Sequence, residues 1–157
     1  IGAVRLDSLL RDLPEDLDKC CAPEPASVMR AVLGKLEKLA DEGLELAVHR
    51  SHGDFAPWNC SWTDKGLFVY DWEVSREQDV AFGDAFYYVI APALLVQQKA
   101  DVMGTLRSAL LLAEQIKAGA GMAGEEVKTY LALWLLNRLK EGGLYGKLLV
   151  ALEREWA

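Results

Sequence analysis

Three side chains in one short stretch carry the chemistry that this sequence offers. Within HGDFAPWNCSWTDKGLFVYD, from His52 to Asp71, Asp54 is followed five residues later by Asn59 and twelve beyond that by Asp71. Ala47 and Val48 lead in, and Leu67, Phe68, Val69 and Tyr70 lead out towards Asp71, as short apolar runs bounded by glycine and polar residues, the pattern of buried strands. Between them Thr63, Asp64, Lys65 and Gly66 form a turn signal. Antiparallel pairing about Asp64 or Lys65 would set Asn59 opposite Tyr70 or Asp71. A neutral amide oxygen beside a carboxylate suits Mg²⁺, a hard cation that takes few protein ligands and keeps its other positions for water and phosphate oxygens. Asp54 is left over as a candidate base.

At these residues the sequence resembles a family. HGDFAPWN followed by VYDWE is similar to the catalytic core of the aminoglycoside phosphotransferases and choline kinases, whose C-terminal lobe is like that of protein kinases. The protein-kinase catalytic loop runs H-R-D-x-x-x-x-N with a later metal-binding Asp. His52, Asp54 and Asn59 keep that spacing, Gly53 stands where protein kinases have Arg, and Asp71 opens DWE where they have DFG. Asp84, in GDAFYYV, matches a further Asp that the family places after the DWE segment. The likeness runs from about Val48 to Val89 and is thin elsewhere.

The resemblance implies transfer of the γ-phosphoryl of ATP to a hydroxyl of a small molecule. In that reading Asp54 orients the hydroxyl and accepts its proton, while Asn59 and Asp71 hold Mg²⁺ against the phosphates. His52 completes the catalytic set as a brace beneath the loop, and Asp84 accepts hydrogen bonds from the loop backbone. Aminoglycoside, choline, amino-alcohol and sugar acceptors all fit the likeness equally well.

Composition bounds the alternatives. A chain of 157 residues that is 52% hydrophobic and 26% charged reads as one globular domain with a core of its own. The net charge of -7 argues against a nucleic-acid partner, because phosphate backbones require a basic surface, and suits a cationic or neutral small substrate better. Cys20, Cys21 and Cys60 contain no C-x-x-C pair, which disfavours a disulfide or zinc framework and points to a reducing, cytoplasmic compartment. No apolar run reaches ~18 residues without a charge or helix breaker, so no membrane partner is expected.

The elements that must position the site read mainly as helices. Leucines at 6, 9, 10, 13 and 17, interrupted by Pro14, suggest one or two short helices, with Pro23 and Pro25 in the loop that follows. Ser27 reads as the N-cap of a helix whose stripe of Val28, Met29, Val32, Leu33, Leu36 and Leu39 ends at Asp41, Glu42 and Gly43. After Glu73 a polar loop is expected, then helices from about Gly83 with a break or kink at Pro92, from Asp101 to Lys117, from Gly124 to Lys140, and from Leu144 to Trp156. Gly119, Gly121 and Gly124 spell G-x-G-x-x-G, but without a preceding strand they read as a helix-to-helix linker. Cys60 reads as a small buried residue, His49 as a polar strand end, Arg50 as an exposed salt-bridging residue, and Trp58, Tyr87 and Tyr88 as aromatic packing before any cation-binding wall.

The expected fold is therefore mainly α (α+β), a protein-kinase-like C-terminal lobe with a short β-hairpin carrying the catalytic and metal-binding residues. Residues 1–157 form its single domain: 1–45 a helical lead-in, 46–73 the catalytic loop and metal hairpin, and 80–157 a helical subdomain. The resemblance also implies an N-terminal nucleotide lobe, a small sheet with a phosphate-contacting lysine. Upstream of His52 only Lys19, Lys35 and Lys38 occur, none in an alternating strand pattern. The chain then reads as part of a longer enzyme, able to fold but inactive alone, whose bare face would meet the missing lobe or self-associate. The alternative is a catalytically inactive lobe serving as a binding or interaction module.

Overall fold

A computed structural model describes residues 1–13, 17, 23–95 and 101–156. Pro14, Lys19, Cys20 and Cys21 lie outside the described residues. The chain is mostly helical with two small antiparallel sheets, an α+β fold. Strand β1 (Gly2–Arg5) and helix α1 (Leu6–Arg11) lead to helix α2 (Pro23–Asp41) and strand β2 (Glu45–Ser51). A hairpin of β3 (Cys60–Thr63) and β4 (Gly66–Val69) follows, then β5 (Arg76–Val80) and helices α3 (Gly83–Leu95), α4 (Val102–Gly119), α5 (Val127–Arg138) and α6 (Gly143–Glu155). Among the described residues no helix is long and apolar enough to cross a membrane.

Two strands depart from the sequence reading. β1 lies inside the stretch read as a helical lead-in, and β5 occupies the stretch after Glu73 read as a loop. Both flank β2 antiparallel in a three-stranded sheet, order β1-β2-β5, with a register shift between His49 and Ser51. They escape pattern reading because each is a short edge strand with mostly exposed side chains, so neither shows a buried alternation. Helix α2 also begins at Pro23, four residues before Ser27, which is therefore not its N-cap. A helix's first turn has no intrahelical use for its N–H groups, so prolines at 23 and 25 fit there. Pro92 does not end α3, which continues to Leu95.

The core is built around α5. From Val127 to Leu136 every residue except Lys128 is buried, because α2, α3, α4 and α6 surround the helix. Its Tyr130 and Trp134 meet Phe82 and Phe86 edge-on, at ring separations of 5.1 and 5.8 Å, and Trp134 meets Tyr145 of α6 at 5.8 Å. Such edge-to-face contacts fix ring orientation beyond what area burial alone demands. The core is tied to the sheet as well, since the Ala47 N–H of β2 donates to the Tyr130 hydroxyl at 3.1 Å.

Leu131, fully buried in the middle of α5, tests this arrangement. Leu131→Ala should lower unfolding free energy by about 2–5 kcal/mol, the cost of lost burial plus a residual cavity, as read by denaturant titration. A loss below ~1 kcal/mol would mean that α5 is not the centre of the core.

Candidate active site

β2 delivers the chain to the loop at Ser51, a fully buried residue whose hydroxyl donates to Asp79 Oδ2 of β5 at 2.9 Å. The next two backbone N–H groups point to one carboxylate. His52 N donates to Asp84 Oδ2 at 2.7 Å and Gly53 N to Asp84 Oδ1 at 3.0 Å. Asp84 sits in the first turn of α3, so it anchors the loop to the helical core instead of capping its own helix.

His52 is buried beneath the loop, and its ring bridges the two halves of the site. Asp54 N donates to Nδ1 at 3.2 Å, which makes Nδ1 the acceptor and leaves Nε2 to donate to the Tyr70 carbonyl at 2.6 Å. Trp72 packs edge-on against the same ring, 4.7 Å away. The residue pinned at Tyr70 immediately precedes Asp71.

Asn59 holds Asp54. Its Nδ2 donates to both the Asp54 carbonyl and Asp54 Oδ2, each at 2.9 Å, so Oδ1 is the amide atom left to accept from or ligate anything else. A 3₁₀ turn over Pro57–Asn59 carries the chain from Asp54 into β3. The hairpin then closes through the two-residue turn Asp64-Lys65, with Thr63 opposite Gly66 and Cys60 opposite Val69. One step further along this register Asn59 lies opposite Tyr70, whose N–H donates to the Asn59 carbonyl at 2.9 Å. The fold-back read from the sequence is therefore the one observed.

Asp71 differs from the other site residues. It is exposed and has a positive φ of 61°, a left-handed conformation that costs a non-glycine residue of order 1 kcal/mol or more. No side-chain hydrogen bond or ion pair engages its carboxylate among the described residues. No group of three or more His, Cys, Asp or Glu side chains gathers for a metal among them either.

Two further residues reach the loop: Arg138, which carries no sequence signal of its own, and Tyr87, which the sequence offered as aromatic packing before any cation-binding wall. Arg138, the last residue of α5, lies between Trp134 and Tyr87, at 4.7 and 5.0 Å from the ring centres, and donates from Nη2 to the Gly53 carbonyl at 3.3 Å. Tyr87 of α3 lies near enough to Asp54 for that carboxylate to act on its hydroxyl. Burial first, then that carboxylate, raise its pKa well above the ordinary 10.0, with Arg138 pulling the other way. Nothing in the local pattern marks Arg138, because a cation in a helix's last turn is commonplace.

The remaining candidates resolve into packing. His49 Nδ1 lies 2.6 Å from the Arg50 carbonyl, and exposed Arg50, which makes no ion pair among the described residues, stands 5.9 Å over the Trp72 ring. Cys60 is half-buried, and desolvation pushes its thiol pKa up, the opposite of an activated nucleophile. Trp58 is exposed, and Tyr88 packs its ring 5.6 Å from Phe55. An apolar cavity of about 540 Å³ lies between the hairpin and helices α3 and α4, lined among others by Phe55, Cys60, Trp62, Leu67, Tyr88 and Ile116. Asp54, Asn59 and Asp71 are not in its lining, so it abuts the loop without containing the polar triad. The three glycines at 119, 121 and 124 end α4 and link it to α5, with φ of 62° at Gly121 and 112° at Gly124. Searches against family models, curated proteins and solved structures found no match to this chain.

Two predictions follow from this geometry. Gly53 has φ of 84°, and a Cβ there would come 2.5 Å from the Val74 carbonyl oxygen. Gly53→Ala should thus destabilise the protein by about 1–3 kcal/mol in denaturant unfolding, from backbone strain and displacement of the segment after Asp71; an unchanged midpoint would show the loop to be free to relax. The second concerns alkaline pH. The folded state holds the Tyr87 proton more tightly than the unfolded chain does, so this residue's contribution is complete below pH ~10 and is lost as pH rises towards its higher folded pKa. Stability of Tyr87→Phe should therefore fall less steeply than wild type above pH ~10, and identical slopes would contradict the assignment.

Proposed function

We propose that this chain is the catalytic lobe of a protein-kinase-like small-molecule phosphotransferase, similar to the aminoglycoside phosphotransferases and choline kinases. It would move the γ-phosphate of ATP to a hydroxyl of a small aminoglycoside-, choline- or sugar-like acceptor. One observation carries the reading: the Asp54 carboxylate is held by the Asn59 amide on a loop tied to Asp84 at one end and, through His52, to the carbonyl before Asp71 at the other.

On this reading Asp54 orients the acceptor hydroxyl and takes its proton as the oxygen attacks phosphorus. Asn59 keeps that carboxylate aimed while its own Oδ1 stays available. The donor set left over, one amide oxygen and the unengaged Asp71 carboxylate, fits Mg²⁺, which favours hard oxygen ligands and few of them from protein. Bound between Asn59 and Asp71, Mg²⁺ would neutralise charge on the nucleotide phosphates. His52 and Asp84 hold the loop backbone, and such rigidity has a chemical purpose because small displacements of reacting groups cost rate heavily.

A second reading, an inactive interaction module, draws on the hairpin itself. Trp62 is 80% exposed and Phe68 51%, on opposite faces of β3 and β4. Aromatic side chains presented in this way suit burial by another surface, either a nucleotide lobe or a second copy.

Titration calorimetry and a phosphate-transfer assay separate the two. Mg-ATP should bind the 157-residue chain weakly, and Asp71→Ala should abolish that binding. In the two-lobed enzyme Asp54→Asn should leave nucleotide affinity nearly unchanged and reduce turnover by about 10²-fold or more. Turnover within a few-fold of wild type would remove Asp54 as the base, whereas absence of transfer by wild type to any acceptor would favour the interaction module.

A further inference from the structure

Asp54 belongs to a peptide plane held from both edges. The plane between Gly53 and Asp54 contains the Gly53 carbonyl and the Asp54 N–H, which point in opposite directions in a trans peptide. His52 Nδ1 takes the N–H at 3.2 Å, and Arg138 Nη2 donates to the carbonyl at 3.3 Å. The two preceding N–H groups are already on Asp84. Arg138 therefore supplies a restraint on this plane that comes from α5.

Its guanidinium is well suited to the task. Arg138 is only 11% exposed, its Nη1 donates to Glu141 Oε2 at 2.9 Å, and the rings of Trp134 and Tyr87 fix the plane of the group. A planar cation stacked on aromatic rings has its donors pointed in set directions, which a flexible ammonium does not reproduce. Tyr87 offers its ring to Arg138 from α3. We infer that Arg138 is a positioning residue for the proposed base, acting by fixing the peptide plane before Asp54, with the Tyr87 and Trp134 rings holding its guanidinium in place.

The inference rests on the phosphotransfer reading for its consequence but not for its geometry, so two measurements are needed. Hydrogen exchange on the 157-residue chain reads the clamp without any substrate. Arg138→Met should accelerate exchange of the segment 52–60 while helices α3 and α5 exchange as in wild type, Arg138→Lys should restore part of the protection, and Tyr87→Phe, which keeps the ring, should leave it unchanged. In the two-lobed enzyme Arg138→Met should lower kcat by about tenfold with KM for nucleotide within about twofold, the signature of lost positioning and not of lost binding. Wild-type exchange of segment 52–60 in Arg138→Met, or acceleration spread equally over α3 and α5, would overturn the clamp. If wild type transfers phosphate to no acceptor, the phosphotransfer reading fails by itself and the exchange results still decide the clamp.

Discussion

The site depends on one carboxylate that bonds two consecutive backbone amides. As the chain leaves β2 it turns sharply at His52 and Gly53, and their N–H groups lose the sheet partners that β-strand residues keep. Buried N–H groups without an acceptor would cost about 1–3 kcal/mol each, so the turn persists only if an acceptor is fixed beneath it. Asp84 is that acceptor, and charge-assisted bonds of 2.7 and 3.0 Å are the stronger sort. Asp84 is immobile in turn because α3 is locked to α5 through Phe86 and Trp134, and because Gly83 lets the helix start close to Trp134, where a Cβ would lie 3.3 Å from the indole. The loop thereby takes its rigidity from the helical core and not from the small sheet that leads into it.

Asp71 shows the same logic from the other direction. Its left-handed φ is tolerated because both neighbours are over-determined. Before it, Tyr70 bonds Asn59 through its N–H and His52 through its carbonyl. After it, the Trp72 indole donates to the Val69 carbonyl at 2.9 Å and its ring rests on His52. A residue pinned on both sides has no freedom to relax into the ordinary β region, and its carboxylate is left facing solvent.

How legible this was in the sequence depended on whether the controlling contact was local. The hairpin was legible because a two-residue turn fixes its register, which carries Asn59 to a place opposite Tyr70 without further information. The α5 stripe was legible because it buries almost all of its circumference. β1 and β5 were not, since Gly2–Arg5 and Arg76–Val80 are strands only by virtue of pairing with β2 from distant parts of the chain. Ser27 misled for a related reason: a good N-cap residue is equally acceptable inside a helix that two prolines have already begun. Arg138 was invisible because its meaning lies 85 residues away, at the Gly53 carbonyl.

The two halves of the candidate site are not equally secured. Asp54 and Asn59 are partly buried and bonded to each other, on a loop whose preceding backbone is held by Asp84 and Arg138 from the helical core. Asp71 lies on the exposed side, beside a hairpin whose aromatic residues face solvent. On the proposed reading this division has a chemical sense. A base must already be aimed when the acceptor arrives, so its order comes from the core. A metal-binding carboxylate needs its final setting only when cation and phosphates are present, and those bring charge of their own. The chain carries a net charge of -7, and Arg138, the one cation bonded to the loop among the described residues, is committed to Glu141 and Gly53. On that reading neutralisation of a triphosphate would fall to Mg²⁺ and to a surface brought against the hairpin, where Trp62 on one face, Phe68 on the other and the unengaged Asp71 all stand exposed.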